Sequence, residues 1–209
     1  DGTVLLRGTT YSVFNGYDFR TGEDESVGWL AGVAYQIPEI ALKASVTYRA
    51  EIEHKMNANE NFGSTAIENN PLNPVISTIT STNSETKLTT PQSINIDFQT
   101  GIMANTVAFA NVRWVDWSKF KVQPYQFGKL SQYLGQNNLV PNKPNGFNLI
   151  DYKEDQISAT VGVGRKFNER WGGNVSVGWD SGAGNPVTTL GPTEGFWSVG
   201  TGVRFSPAE

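Results

Sequence analysis

The stretch PQSINIDFQTGIMANTVAFANVRWVDWSK, residues 91–119, decides the fold, because it contains two alternating runs joined by a minimal turn. In the first run Ile94, Ile96 and Phe98 alternate with polar residues, and the alternation resumes after Thr106. A period of two indicates β-strands. Each arm has room for the roughly 9 to 11 residues that a tilted strand needs to cross a bilayer. Strands of soluble proteins usually contain about 5 or 6 residues. The stretch favours a membrane-spanning hairpin, although a half-buried soluble hairpin can show the same alternation.

The composition excludes several classes of function. The chain of 209 residues contains no cysteine and one histidine, and its formal net charge is -4. A disulfide scaffold and a cysteine-based site are therefore excluded, and a single histidine, His54, supplies a catalytic triad or a histidine-rich zinc site poorly. The acidic balance provides no basic surface for nucleic acid. We expect no enzyme activity, no cofactor and no nucleic-acid partner.

Hydropathy argues against helical membrane spans but not against a transmembrane barrel. No run approaches the roughly 18 consecutive apolar residues of a transmembrane helix. The mean hydropathy is -0.35. A barrel is compatible with this low value, because only its lipid-facing side is apolar and its lumen is polar.

Alternation along the rest of the chain predicts further strands, which brings the number to eight. They span residues 4–14, 27–36, 41–55, 91–103, 107–114, 152–167, 171–180 and 197–205. The alternation in the first of them is poor, so its facing stays undecided. Segments 56–90 and 120–150 are predicted as long loops. Long and short connections alternate, which places all long loops at one end, as in outer-membrane barrels with long extracellular loops and short periplasmic turns.

Aromatic residues support this arrangement, because they fall near the strand ends of the proposed lipid-facing side. Those near the long loops are Trp29, Trp114, Trp179 and Trp197, and those near the tight turns are Tyr35, Phe167, Trp171 and Phe205. Barrels in the outer membrane carry such aromatic girdles at both interfaces. The predicted fold is an all-β, antiparallel, up-and-down transmembrane β-barrel.

Several segments are similar to a known family. The runs TPQSINIDFQTGIMANTVAFANVRWVDWSKF (90–120), YKEDQISATVGVGRKFNERW (152–171) and GFWSVGTGVRF (195–205) resemble the C-terminal half of the FadL/TodX family. The run GWLAGVAYQIPEIALKASVTYRAEI (28–52) fits the same pattern. The resemblance covers most of the chain, and its strongest single piece is the segment 114–120.

The resemblance implies an outer-membrane transporter of long-chain fatty acids and other hydrophobic compounds. It also implies a 14-stranded barrel with an N-terminal hatch. Residues 1–209 then form a single barrel region, a fragment from which the hatch and the early strands are absent. Eight strands can also close alone as a small barrel. The expected location is the bacterial outer membrane, and the expected partners are a hydrophobic ligand and membrane lipid or detergent, with the protein a monomer.

Two arginines are candidate ligand-binding residues. Alternation places Arg49 and Arg113 on the lumen side of their strands. One interpretation is structural pairing with Glu51 or Asp97. The other is attraction of a fatty-acid carboxylate, to which a guanidinium can donate two hydrogen bonds.

The loop 120–150 contains a second candidate site. Phe127, Leu130, Tyr133 and Leu134 fall at helical spacing. They predict a short amphipathic helix whose apolar side either captures hydrophobic ligand or packs against neighbouring loops.

Other motifs have ordinary structural explanations. The pairs Gly162–Gly164 and Gly200–Gly202 lack the third glycine and the helix of a nucleotide-binding loop, and they are interpreted as small lumen-facing residues. We predict passive uptake of a hydrophobic, fatty-acid-like molecule. The alternatives are a general porin or structural barrel, and a soluble β-sandwich that binds carbohydrate.

Overall fold

A seven-stranded antiparallel sheet forms the larger part of the fold. The computed structural model describes residues 2–6, 9–13, 17–61, 81–138, 140–184 and 194–207, with backbone only for 2–6, 9–13 and 81–83. The strands, in chain order, are β1 (Gly2–Leu6), β2 (Thr9–Val13), β3 (Asp18–Thr21), β4 (Leu30–Ile37), β5 (Leu42–Arg49), β6 (Ile52–Asn61), β7 (Ser81–Thr90), β8 (Ser93–Met103), β9 (Thr106–Val115), β10 (Lys121–Val122), β11 (Ile150–Asp151), β12 (Gln156–Lys166), β13 (Trp171–Gly182) and β14 (Glu194–Phe205). The strand order in the large sheet is β14-β13-β12-β9-β8-β5-β4.

The two faces of the large sheet differ in chemistry, as the alternation predicts. One row across all seven strands consists of Val33, Val46, Ile96, Val112, Ala159, Trp179 and Trp197. The next row, on the opposite face, consists of Ala34, Ser45, Asp97, Asn111, Thr160, Gly178 and Ser198. The large side chains of the first row are exposed, from 39% for Trp179 to 75% for Val33. An exposed apolar face of this extent is typical of a surface that contacts lipid.

The tight turns of this sheet join β4 to β5, β8 to β9 and β12 to β13. The first contains a 3-10 helix, Pro38–Ile40, and ends at Ala41 with a φ of 52°. The second contains Asn105, whose φ is 57°. Asparagine tolerates the left-handed region better than most residues. The predicted alternation of short and long connections is therefore confirmed for the large sheet.

The first predicted strand, residues 4–14, is wrong. The described part of this region forms two short strands, β1 and β2, which pair with each other from Gly2 opposite Val13 to Leu6 opposite Thr9. Each half of the predicted strand therefore forms hydrogen bonds with the other half instead of extending it. The large sheet has seven strands instead of eight.

The predicted strand 41–55 is also wrong in its extent, because it is divided between β5 and β6. The register places Arg49 opposite Ser93, so the interruption at Ala50 and Glu51 lies opposite Gln92 and Pro91. Proline has no N–H group and interrupts a hydrogen-bonded ladder. Beyond the interruption, β6 continues to Asn61, and β7 begins at Ser81. The predicted loop 56–90 therefore contains strand at both of its ends.

Contacts divide the chain into two compact units. One comprises the described residues of segments 27–52, 90–120 and 151–209 and contains the large sheet. The other comprises those of segments 1–26, 53–89 and 121–150. It contains the three-stranded sheet β3-β6-β7 and helix α1, Tyr125–Gln136. Among the described residues, no helix has the length and apolar character of a membrane span.

Candidate ligand-binding site

Both candidate arginines lie on the polar face of the large sheet, on the strands that flank β8. Arg49 of β5 is opposite Ser93, and Arg113 of β9 is opposite Asn95. They are therefore two strands apart and offset by two residues, which corresponds to about 12 Å between Cα atoms. Polar side chains lie between them, including Thr47 opposite Asn95. The two guanidinium groups and these neighbours form one polar patch on a single face of the large sheet.

Neither arginine is used in an ion pair within the described part of the chain. The ion pairs there involve other cations, and Asp97 instead accepts a hydrogen bond from Asn111 Nδ2 at 2.7 Å. Ser45 Oγ lies 3.4 Å from the same carboxylate. Asp97 is therefore held by neutral partners, and the interpretation that Arg113 is paired with it is wrong. Arg49 likewise has no ion pair with Glu51 among these residues, so both guanidinium groups are available to an anion.

A hydrogen-bonded network lies at the end of the sheet that is next to the long loops. Tyr48 donates to Gln92 Oε1 at 2.6 Å, and Gln92 donates to Asp116 Oδ2 at 2.7 Å. The ammonium group of Lys119 lies 2.7 Å from the same oxygen. Burial opposes the ionisation of Asp116, but the hydrogen bonds from Lys119 and Gln92 outweigh it and hold the pKa of Asp116 below its usual value.

The network continues through the strands that follow. Trp114 Nε1 donates to Asp155 at 3.0 Å, and Trp117 Nε1 donates to Gln156 Oε1 at 2.8 Å. The amide of Gln156 donates to Asp180 at 2.9 Å. Segment 114–120, which has the strongest family resemblance, thus connects β9 to β12 and β13 at this end of the sheet. Sequence reasoning missed Asp155 and Gln156 as partners of the two tryptophans because they are more than 35 residues away along the chain.

The second candidate site forms the predicted helix, but its apolar side is covered. Leu130 and Leu134 are only 6% and 5% exposed, because Tyr17, Phe127, Tyr133, Val140 and Phe147 pack around them. The rings of Phe127 and Phe147 meet edge to face at 5.5 Å. Of the two alternatives, packing against neighbouring loops is the one that the described residues adopt.

Glu60, which sequence reasoning missed, holds the start of this helix. Its fully buried carboxylate accepts hydrogen bonds from the backbone N–H groups of Gln126 and Phe127, both at 2.8 Å, and from Tyr17 Oη at 3.0 Å. Burial, and then the neighbouring Glu60, raise the pKa of Tyr17. Pro124 precedes the helix and provides no side-chain cap. A carboxylate from another strand therefore satisfies donors that a local cap ordinarily satisfies. The missing cap is the sequence signal that could have prompted a search for it.

Comparison with known sequences identifies the family. The profile of the family described as outer membrane protein transport protein (OMPP1/FadL/TodX) matches residues 9–172, more than half of the chain. The chain belongs to the OMPP1/FadL/TodX family. No match was found among curated proteins.

Membership of the OMPP1/FadL/TodX family places the protein in the bacterial outer membrane and assigns it to a group of transport proteins rather than enzymes. The exposed apolar face of the large sheet is then the lipid-facing side, and the opposite face carries Arg49 and Arg113. The alternative of a soluble carbohydrate-binding sandwich is wrong, because this location requires the apolar face to contact lipid.

Other polar groups of this family member were compared with the requirements of metal and nucleophilic sites, within the described part of the chain. The described residues contain no cluster of histidine and acidic side chains that can hold a metal ion. His54 Nδ1 lies 3.1 Å from Asp24, and Ser26 also donates to Asp24 at 3.0 Å. The carboxylate thus lies between the other two groups, so Ser26 and His54 lack the serine–histidine contact of a nucleophilic site.

Proposed function

We propose that this protein mediates passive uptake of hydrophobic small molecules with an acid group, such as long-chain fatty acids, across the bacterial outer membrane. The observation that carries the proposal is the pair of exposed arginines without ion-pair partners among the described residues, on the polar face of a sheet whose other face is apolar. A guanidinium group binds carboxylate through two parallel hydrogen bonds. Arg49 and Arg113 would attract the acid group as the ligand passes along this face.

Among the residues that the structure describes, no ion pair in this patch would have to be broken by a carboxylate. Asp97, the acidic residue of the neighbouring row, already accepts hydrogen bonds from neutral groups. The arginines are exposed, so each contact with a carboxylate is screened by water and is weak. Weak binding suits a passage site, because a transported molecule must also leave.

A capture role for Phe127, Leu130, Tyr133 and Leu134 stays a prediction. Phe127 and Tyr133 are partly exposed, whereas Leu130 and Leu134 are buried. Capture through the two leucines would require the segment around Val140 and Phe147 to move. Each CH₂ group of a ligand tail buried there would contribute about 0.8 kcal/mol.

Uptake into outer-membrane vesicles tests the proposal. The vesicles carry the whole protein and are loaded with albumin, which traps the ligand without an energy source. Labelled hexadecanoate should enter faster than in vesicles without the protein. The variants Arg49→Gln and Arg113→Gln should slow uptake of the acid, by roughly tenfold together, and leave hexadecanol unaffected, because only the acid loses a charged partner. Lys43→Gln removes another cation from the same face and serves as the matched control.

Two results would contradict the proposal. Equal uptake of acid and alcohol by the parent and by the double arginine variant would show that the arginines have no role in selection. Rapid entry of small hydrophilic solutes with no preference for hexadecanoate would instead identify a general porin.

A further inference from the structure

A cavity of about 820 Å³ lies at the tight-turn end of the large sheet, away from Arg49 and Arg113. It is formed by parts of β9, β12, β13 and β14 and by the turn between β12 and β13. This volume lies in the range of roughly 300 to 1,000 Å³ that small-molecule sites occupy.

Glycines create this space on the polar face. Gly164, Asn174 and Gly202 form one row across β12, β13 and β14, and Val107 of β9 completes it. A Cβ atom at Gly164 would lie 3.5 Å from Val107 and 3.8 Å from Asn174, which are ordinary contact distances. Gly164 therefore leaves a gap in which a ligand can lie against the sheet, whereas the Asn174 side chain fills the space beside Gly202.

An aromatic ring forms an apolar wall of the cavity. Phe109 lies opposite Gly162, and a Cβ atom at Gly162 would overlap its ring. The tip of the ring therefore occupies the space where a side chain at position 162 would lie, and its position depends on the absence of that side chain. Phe109 and Val107 both line the cavity, so its inner part is apolar.

Cations surround the other part of the cavity. Lys166 and Arg204 lie on either side of Gly172, two strands apart, which corresponds to about 10 Å between their Cα atoms. Arg170 also lines the cavity, and Glu169 is the acidic residue in its lining, whereas Arg165 lies in the row of Gly173 and Val203 on the opposite face. Glu169 lies 3.5 Å from Lys166, and both side chains are exposed, so this ion pair is weak.

We propose that this cavity is a binding site for a single-chain amphiphile with an anionic head, either carboxylate or phosphate. The head lies between Lys166 and Arg204, above Gly172, and the tail lies along Val107 and Phe109. The site extends the proposed function, because it would hold the same class of molecule at the end of the sheet opposite Arg49 and Arg113. Its existence does not depend on transport, so binding and uptake can be tested separately.

The charge of the site is tested by binding to the whole protein in phosphatidylcholine nanodiscs. The background carries Arg49→Gln and Arg113→Gln, so that the arginine patch does not contribute. The probes are dodecanoate, dodecyl phosphate and dodecanol, with empty nanodiscs subtracted. The double variant Lys166→Gln, Arg204→Gln should bind the two anions at least roughly tenfold more weakly and dodecanol unchanged. Lys43→Gln should have no effect, because Lys43 is a cation of the same face outside the cavity lining.

The shape of the site is tested by filling it. Gly164→Leu fits its first side-chain atom without overlap and occupies the cavity, so it should abolish binding of all three probes. Thr160→Leu lies four residues away on the same face of β12, outside the lining, and should leave binding intact. Heat-modifiable gel mobility verifies that both variants fold.

Each outcome decides the proposal. A weakened binding of dodecyl phosphate alone identifies a lipid headgroup as the occupant, and a weakened binding of dodecanoate alone identifies a fatty acid. If the Lys166→Gln, Arg204→Gln variant binds the anions as tightly as the background protein does, the site is overturned. If vesicles show no uptake of hexadecanoate while the anions still bind selectively here, the proposed function fails and this site stands.

Discussion

The buried carboxylate of Glu60 allows a quantitative test of how the loop helix is held. Glu60→Gln keeps the size of the side chain but replaces one acceptor oxygen by an NH₂ group, which cannot accept a hydrogen bond. The side chain now faces two backbone N–H donors, at Gln126 and Phe127, and the hydroxyl groups of Tyr17 and Ser84. At least one of these donors loses its partner inside the protein.

The cost follows from the number of bonds that change. A buried donor left without a partner costs about 1 to 3 kcal/mol, and a hydrogen bond to a charged acceptor exceeds a neutral one by about 1 kcal/mol. A negative charge at the first turn of a helix contributes roughly a further 0.3 to 1 kcal/mol. Together these terms predict that the variant destabilises the start of α1 by about 3 kcal/mol. The local opening equilibrium should then increase roughly a hundredfold.

Hydrogen exchange of the backbone amides in α1 measures this opening. The amides of residues 127–134 should lose about two orders of magnitude of protection in Glu60→Gln. Glu85→Gln changes an exposed acidic residue of β7, in the same compact unit, and should leave α1 unaffected. Protection in Glu60→Gln that stays within about threefold of the parent would refute the assignment of Glu60 as the anchor of the helix.

Two further predictions concern the large sheet and its edge. Val161 is 59% exposed at the centre of β12, so Val161→Lys should destabilise the folded protein in bilayers by about 2 to 4 kcal/mol, whereas Thr160→Lys on the opposite face should cost much less; denaturant titration in lipid vesicles measures both, and equal costs would mean that the facing is wrong. The pKa of Asp116 is lower in the folded state than in the unfolded state, where it is about 3.9. The ionised carboxylate therefore stabilises the folded state above the unfolded-state pKa, and this contribution is lost as the pH falls through the folded-state pKa. Between about pH 5 and pH 2, Asp116→Asn should therefore show a smaller loss of thermal stability than the parent, and identical pH profiles would contradict the role of Asp116.

The sequence alone predicts the large sheet well, because its rows follow from a local period of two. Val112, Val177 and Val199 lie on the exposed apolar face as the alternation indicates. The division of the strand at Ala50 and Glu51 could not be predicted from that strand, because the interrupting residue, Pro91, lies on its partner. The register is defined by the pairing of two strands, so it cannot be predicted from the sequence of one strand alone.

The candidate sites show the same limit. Helical spacing predicts α1, but the burial of Leu130 and Leu134 depends on Phe147 and Tyr17, which come from other parts of the chain. The cavity at the tight-turn end was missed because its glycines were interpreted only as small lumen-facing residues. The position of Phe109 opposite Gly162 was missed as well, because it depends on the register between β9 and β12. In the sequence, Lys166 and Arg204 resemble ordinary charged residues near turns. Only the pairing of β12, β13 and β14 shows that they lie on either side of Gly172.

The central claim is that one face of the sheet contacts lipid while the other lines the path of the ligand. Spin labels test it directly, because the chain contains no cysteine and single cysteines can be introduced one at a time. The whole protein would be labelled in bilayers at positions along β12, and collision rates would be measured with oxygen, which concentrates in lipid, and with a water-soluble nickel complex. We predict high oxygen accessibility at Ile157, Ala159, Val161 and Val163, and high nickel accessibility at Ser158, Thr160 and Gly164. Two profiles that vary together, or that lack a period of two, would contradict the account.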